Sequence, residues 1–156
     1  MTIFRLTVAL LATVTLSYVS PLQAMASENG AVAAVFTNAI AAFNRGDMKG
    51  WIATCGPSAG IIDEIPPHSW QGASACADWW RSFEAFANSN RITDANVSTG
   101  TPWHLEVTAR TAYMVVPATY SYRQNGKAQR ESGIFTVSFK KTLNGWLMSG
   151  WTWTLR

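Results

Sequence analysis

The stretch Ala112–Leu155, AYMVVPATYSYRQNGKAQRESGIFTVSFKKTLNGWLMSGWTWTL, decides the fold. Two Asn-Gly pairs, Asn125-Gly126 and Asn144-Gly145, divide it into three runs. Asn-Gly supplies the positive φ angles of the tight turns that join antiparallel strands. The spacing therefore predicts strands over Ala112–Arg123, Gly133–Lys141 and Trp146–Leu155. Pro117 interrupts the first run. It cannot donate a ladder hydrogen bond, which predicts an edge position or a bulge. Just upstream, Trp103, Leu105 and Val107 alternate with His104, Glu106 and Thr108, again with period two.

Before Arg91 the period is different. Val32, Phe36, Ile40 and Phe43 lie on one face of a helix over residues 30–45. Gly46 suits a helix stop, and Asp47 is a good cap for a second helix, Met48 to about Cys55, that buries Trp51 and Ile52. Gly56-Pro57 ends it. Gly60–Ile65 reads as a short strand stopped by Pro66-Pro67. A third helix fits Ala73–Ala87, with Cys76, Ala77, Trp80 and Phe83 on its apolar face. Helices early and long strands late give an α+β domain, a cone-shaped curved antiparallel sheet packed on three N-terminal helices. Three helices cannot fill such a concavity, so a pocket between sheet and helices is expected.

The 156 residues suit one domain. Hydrophobic residues make up 48% and charged ones 13%, which excludes a disordered or fibrous chain. The formal charge of +3 comes from scattered basic residues, with Lys140-Lys141 the longest run. No basic stripe exists, and nucleic acid is not an expected partner.

The N-terminus reads as a targeting segment. Arg5 precedes the uncharged stretch Leu6–Val19, and Pro21 and the small-residue site Ala24-Met25-Ala26 follow. This is the pattern of a secretory signal peptide, too short for a membrane span, with cleavage after Ala26. The mature domain is then 27–156, exported to a periplasmic or extracellular space and not held in a membrane. An oxidising compartment permits a disulfide between Cys55 and Cys76, both placed on predicted helices, with two buried free thiols as the alternative. Closing that loop would stabilise the fold by about 3 kcal/mol. Only His68 and His104 accompany these cysteines, at no metal-ligand spacing, so no metal is expected. No glycine-rich phosphate loop or Ser-centred nucleophile elbow is present, and no cofactor is expected.

Three stretches resemble the nuclear transport factor 2-like superfamily, in its ketosteroid isomerase and SnoaL-like branches. They are Ile40–Gly50 (IAAFNRGDMKG), Ile61–Gly72 (IIDEIPPHSWQG), and Asn144–Met148 with Trp151 and Trp153. The resemblance covers nearly all of residues 28–156. It implies the cone fold, which hosts isomerases, dehydratases, cyclases, hydrolases and non-enzymatic binders. It implies a homodimer, since sheet-to-sheet pairing is common among relatives. It also implies that Asp63 occupies the position of the proton-transferring base of the isomerase branch. The two oxyanion-hole positions of that branch fall on Ala39 and near Phe135. Neither can donate a hydrogen bond, and losing one such donor costs about 2.7–4 kcal/mol of transition-state stabilisation. Ketosteroid isomerisation itself is therefore not expected.

Asp63, at a pocket mouth, would be partly desolvated and so a better base; otherwise it serves the following loop as a structural aspartate. Glu64, next along a strand, would face the other way and be solvated. His68, in the Pro-rich loop, could shuttle protons or simply be exposed. Tyr120 shares a face with Tyr122, opposite Tyr113, and is the preferred replacement for the missing donor. His104 pairs with Glu106. Trp51, Trp80, Phe135 and Trp151 are the expected ligand-lining residues. Trp151 and Trp153 share a face, either lining the pocket or forming an outer patch. The chain is thus read as an exported binder of a small hydrophobic molecule. One alternative is a cofactor-free lyase or isomerase with Asp63 as general base. A second is a protein-interaction or structural homodimer module.

Overall fold

A computed structural model describes residues 21–156. The apolar stretch Leu6–Val19 lies outside them. Helix α1 (Pro21–Asn44) begins well before the expected start at residue 30, because the run from Gln23 to Glu28 contains no helix breaker. The expected cleavage after Ala26 thus falls within α1 and keeps Glu28. Among the described residues no helix is long and apolar enough to cross a membrane. Helix α2 (Met48–Ala53) starts where Asp47 accepts a hydrogen bond from the Gly50 backbone N–H at 2.8 Å.

Strand β1 (Cys55–Ile62) follows at once, so Cys55 opens a strand and is not helical. Strand β1 starts five residues earlier than the expected Gly60 and ends three residues short of Ile65. A short strand that the sequence reading lacks, β2 (Ser69–Gly72), turns back antiparallel to it. Helix α3 (Ala75–Ser89) carries Cys76, which is bonded to Cys55 at an S–S distance of 2.06 Å. Then come β3 (Ile92–Thr99), β4 (His104–Val107), β5 (Thr111–Gln124), β6 (Lys127–Thr142) and β7 (Gly145–Leu155).

The strand order is β2-β1-β7-β6-β5-β3, with β4 also on β5. Strand β1 runs parallel to β7, so the sheet is mixed where an all-antiparallel one was expected. Helices pack on its concave face, and the sheet curves without closing. Pro117 is not at an edge. It lies in β5 between β6 on one side and the β3–β4 junction on the other. There the pairing with β3 ends at Ala118, the pairing with β4 begins at Val115 opposite His104, and Gly100 donates to the Pro117 carbonyl at 2.8 Å. The missing N–H thus falls at the gap between two partner strands, where no acceptor is lost.

Inward-facing residues alternate along β5 (Ala112, Met114, Val116, Ala118) and β6 (Gly133, Phe135, Val137, Phe139). Strand β7 does something different. Trp146 and Met148 face in, and so do Trp151 and Trp153, although their numbers differ in parity. Ser138 pairs with Gly150 and Phe139 with Met148, which leaves Ser149 as an extra residue. That β-bulge resets the alternation and turns Trp151 and Trp153 into the cone. Both are buried, so the outer tryptophan patch of the second alternative does not form.

Candidate functional site

The cone holds a cavity of about 320 Å³ between the sheet and the helices. Helix α1 contributes Ile40 and Phe43, α2 contributes Trp51, and α3 contributes Trp79, Phe83 and Phe86. The sheet contributes Val97, Tyr120, Tyr122, Phe135, Trp151 and Trp153, among others. Ten of the eighteen lining residues are aromatic, three are carboxylates (Asp63, Glu64 and Glu131), and none is Lys, Arg or His.

Local devices hold these walls in place. Asn44, the last residue of α1, uses its side-chain amide like a strand neighbour. It donates to the Val97 carbonyl at 2.8 Å and accepts from the Val97 N–H at 2.7 Å. This ties α1 to β3. Gly133 lets the Trp153 indole lie across β6, since a Cβ there would sit 2.4 Å from the ring. The disulfide fixes the start of β1 to the start of α3, the two segments that deliver Asp63 and Trp79. Trp51 stacks on Trp79 at a centroid distance of 4.8 Å, and the Trp151 ring meets Trp79 edge-on at 4.9 Å.

Asp63 is the best-connected polar group. Its carboxylate accepts from the Trp79 indole N–H at 2.8 Å. Burial nevertheless pushes its pKa up, against the hydrogen bond from Trp79 and the backbone N–H groups of Glu64 and Ile65. Glu64 is exposed, as expected, but it also borders the cavity, which the alternation argument does not give. Strand β1 stops at Ile62, so period two no longer applies at residues 63 and 64. Desolvation raises the pKa of Glu64, with further repulsion from Glu131 and Asp63. Asp63 and Glu64 therefore belong to a turn that faces the cavity mouth.

His68 does not reach the cavity. It is exposed, with φ of 72°, and its backbone closes the turn: its carbonyl accepts from the Asp63 N–H at 3.2 Å, and its own N–H donates to Ile65 at 2.8 Å. The turn that projects Asp63 inward directs the His68 imidazole outward. His68 is thereby corrected from proton shuttle to loop support. Its exposure agrees with the simpler expectation for a Pro-rich loop.

Tyr120 and Tyr122 line the cavity with rings stacked at 4.7 Å, while Tyr113 lies on the other sheet face. The Tyr122 hydroxyl donates to Glu131 at 2.5 Å, and this bond pushes its pKa up to about 12. Burial raises Tyr120 further, so its hydroxyl stays protonated at neutral pH. That hydroxyl has no hydrogen-bond partner, nor do the buried indole N–H groups of Trp51 and Trp151. An unpaired buried donor costs about 1–3 kcal/mol.

Trp80 is corrected as a ligand-lining residue. It is buried, but its indole donates to Glu84 at 2.8 Å and its ring lies outside the cavity lining. Trp79 takes the place expected for Trp80. The signal was present: Trp79 lies three residues after Cys76 and four before Phe83, which is also a helix stripe. Ala39 and Phe135 are buried and carry no donor, as the sequence implies. His104 and Glu106 form an exposed pair at 3.7 Å, away from the cavity. Among the described residues no group of three or more His, Cys, Asp or Glu side chains could hold a metal ion.

No family model matches the chain, and no curated protein matches it. Solved structures do. The hexachlorocyclohexane dehydrochlorinase LinA-type3 from Novosphingobium barchaimii LL02 superposes with a TM-score of 0.73 at 13% identity, covering 88% of this chain and 91% of that one. A ketosteroid isomerase-like protein from Erwinia carotovora atroseptica gives 0.66 at 16% identity, over 82% and 95%. A nuclear transport factor 2-like superfamily protein from Salmonella enterica gives 0.69 at 12%, over 84% and 92%. The chain has the nuclear transport factor 2-like cone fold.

Proposed function

We propose that this is an exported protein that holds a small, largely apolar molecule inside the cone. The cavity carries the reading: about 320 Å³, with aromatic rings on most of its wall. Ligand sites are commonly about 300–1,000 Å³ and mostly apolar. Four lining tryptophans (Trp51, Trp79, Trp151 and Trp153) make binding visible in their emission. Titration with the neutral fluorophore N-phenyl-1-naphthylamine tests it. The expected result is saturable energy transfer from tryptophan at one site per chain. Linear, unsaturable signal would remove the reading. Export is supported by the composition of Met1–Ala26, and N-terminal sequencing of the secreted chain checks it. A homodimer through the outer sheet face would cover the exposed Ile62 and Tyr113, and sedimentation measures it.

A second reading is favoured by Asp63. A carboxylate whose pKa is raised by burial, set against an apolar cavity, is equipped to take a proton from a bound carbon acid. The protonated Tyr120 hydroxyl, free of partners, supports it as the matching donor. The names of two neighbours, a dehydrochlorinase and an isomerase-like protein, fit a lyase or isomerase. The test is chloride release from hexachlorocyclohexane by the wild type and by Asp63→Asn. Removing a general base costs on the order of 10²–10⁴ in rate. A rate unchanged in Asp63→Asn would take Asp63 out of the chemistry.

A further inference from the structure

The charges of the molecule are distributed unevenly around the cavity. The chain has nine acidic residues and a net charge of +3. Four of the nine have a lysine or arginine partner. These are Glu28 with Lys141, Asp47 with Arg45, Asp78 with Arg81, and Asp94 with Arg123, while Glu106 lies beside the exposed His104 imidazole. Glu84 instead accepts the Trp80 indole. The remaining three are Asp63, Glu64 and Glu131, and all three line the cavity. They come from two distant segments, the turn after β1 and strand β6, so chain proximity does not explain their meeting. In a basic protein, three of the five carboxylates without a lysine or arginine partner are gathered at one apolar cavity.

We propose that the molecule held there is a hydrophobic organic cation, an amine with an aromatic or alicyclic body, whose ammonium lies between Glu64, Glu131 and the Tyr120–Tyr122 pair. This rests on the cavity being a ligand site, as proposed above. An anion would enter a space with three carboxylates and no basic side chain. A neutral molecule would strip water from Glu64 and Glu131 and return nothing to them. A cation offsets both costs. The stacked tyrosine rings offer π-faces, and ammonium ions are attracted to such faces. The Tyr122 hydroxyl already bonded to Glu131 fixes that carboxylate in place. The deeper wall, with Trp51, Trp79, Phe135 and Trp151, takes the apolar body.

Three probes of one shape separate the alternatives: 4-phenylbutylamine, 4-phenylbutan-1-ol and 4-phenylbutyrate. Tryptophan quenching at pH 7 reads their affinities. The expected order is amine, alcohol, carboxylate, with the amine about tenfold or more ahead of the alcohol, which corresponds to about 1.4 kcal/mol. Glu64→Gln with Glu131→Gln should remove most of that advantage and leave the alcohol within about twofold, since only the charged contact is lost. Alcohol binding in the variant also shows that the cavity is intact. In the wild type, raising salt from 50 to 500 mM should weaken the amine several-fold and spare the alcohol. An alcohol that binds as tightly as the amine overturns the proposal and leaves the ligand site standing. So does an amine affinity indifferent to salt. Failure of all three probes to quench overturns both.

Discussion

The two ends of the cone are built differently. At the packed end, Val32 of α1 and Met114, Val137, Phe139 and Met148 of the sheet are all nearly inaccessible, and none lines the cavity. The polar groups at this end are fully engaged. Glu28 receives Lys141 at 2.7 Å and the Trp146 indole at 2.7 Å, and these contacts lower its pKa. At the open end burial outweighs the hydrogen bonds that Asp63 receives, and three buried donors have no partner. Asp63 and Glu64 have raised pKa values, and Tyr120, Trp51 and Trp151 have unpaired donors. One sheet thus supplies stability at one end and gives some of it up at the other. The unmet polar groups line the cavity in which we propose a ligand is held.

The contrast is most easily broken at the packed end. Phe139 is 1% exposed, and Phe139→Ala should cost about 3–5 kcal/mol in denaturant unfolding. A loss under 1 kcal/mol would mean that the packed end is not the source of stability. Next is the disulfide. Cys55→Ser with Cys76→Ser should cost about 3 kcal/mol, seen as a lower midpoint that reductant no longer shifts. At the open end, Gly133→Val should drive Trp153 off β6 into the cavity. That costs about 1–3 kcal/mol of overpacking and weakens N-phenyl-1-naphthylamine binding.

Asp63→Asn should act in the opposite direction. A raised pKa means that the folded chain holds the Asp63 proton more tightly than the unfolded chain does. Its contribution is therefore most favourable below the ordinary carboxylate pKa and is lost as pH rises through the raised folded value. The variant should be at least as stable as wild type at pH 7, and the gap should close toward pH 3. A variant less stable than wild type at pH 7 would contradict the reading of Asp63 as a destabilising functional group. The smallest effect is expected from His68→Ala, within about 0.5 kcal/mol in stability and equally small in binding.

Much of this was legible in the sequence, for identifiable reasons. The two Asn-Gly turns place β5, β6 and β7 because hairpin chemistry is local. The stripe on α1 and the Asp47 cap are local too. Non-local features were not readable. The parallel pairing of β1 with β7 depends on two segments distant in sequence. The bulge at Ser149 leaves no mark in composition, yet it decides that Trp151 and Trp153 face inward. Asp63 could be placed at the mouth, but Glu64 could not, because the strand ends at Ile62 rather than Ile65. Trp79 and Trp80 are adjacent on one helix, and only the packing of α3 against β1 chooses between them.

The central claim is that the open end holds a ligand. Native mass spectrometry of the purified protein tests it most directly, both as isolated and after incubation with excess N-phenyl-1-naphthylamine. The account predicts a one-to-one noncovalent adduct in at least the second sample. Any ligand carried from the host should add on the order of 200–400 Da and vanish under denaturing conditions. A bare chain mass in both samples would contradict it.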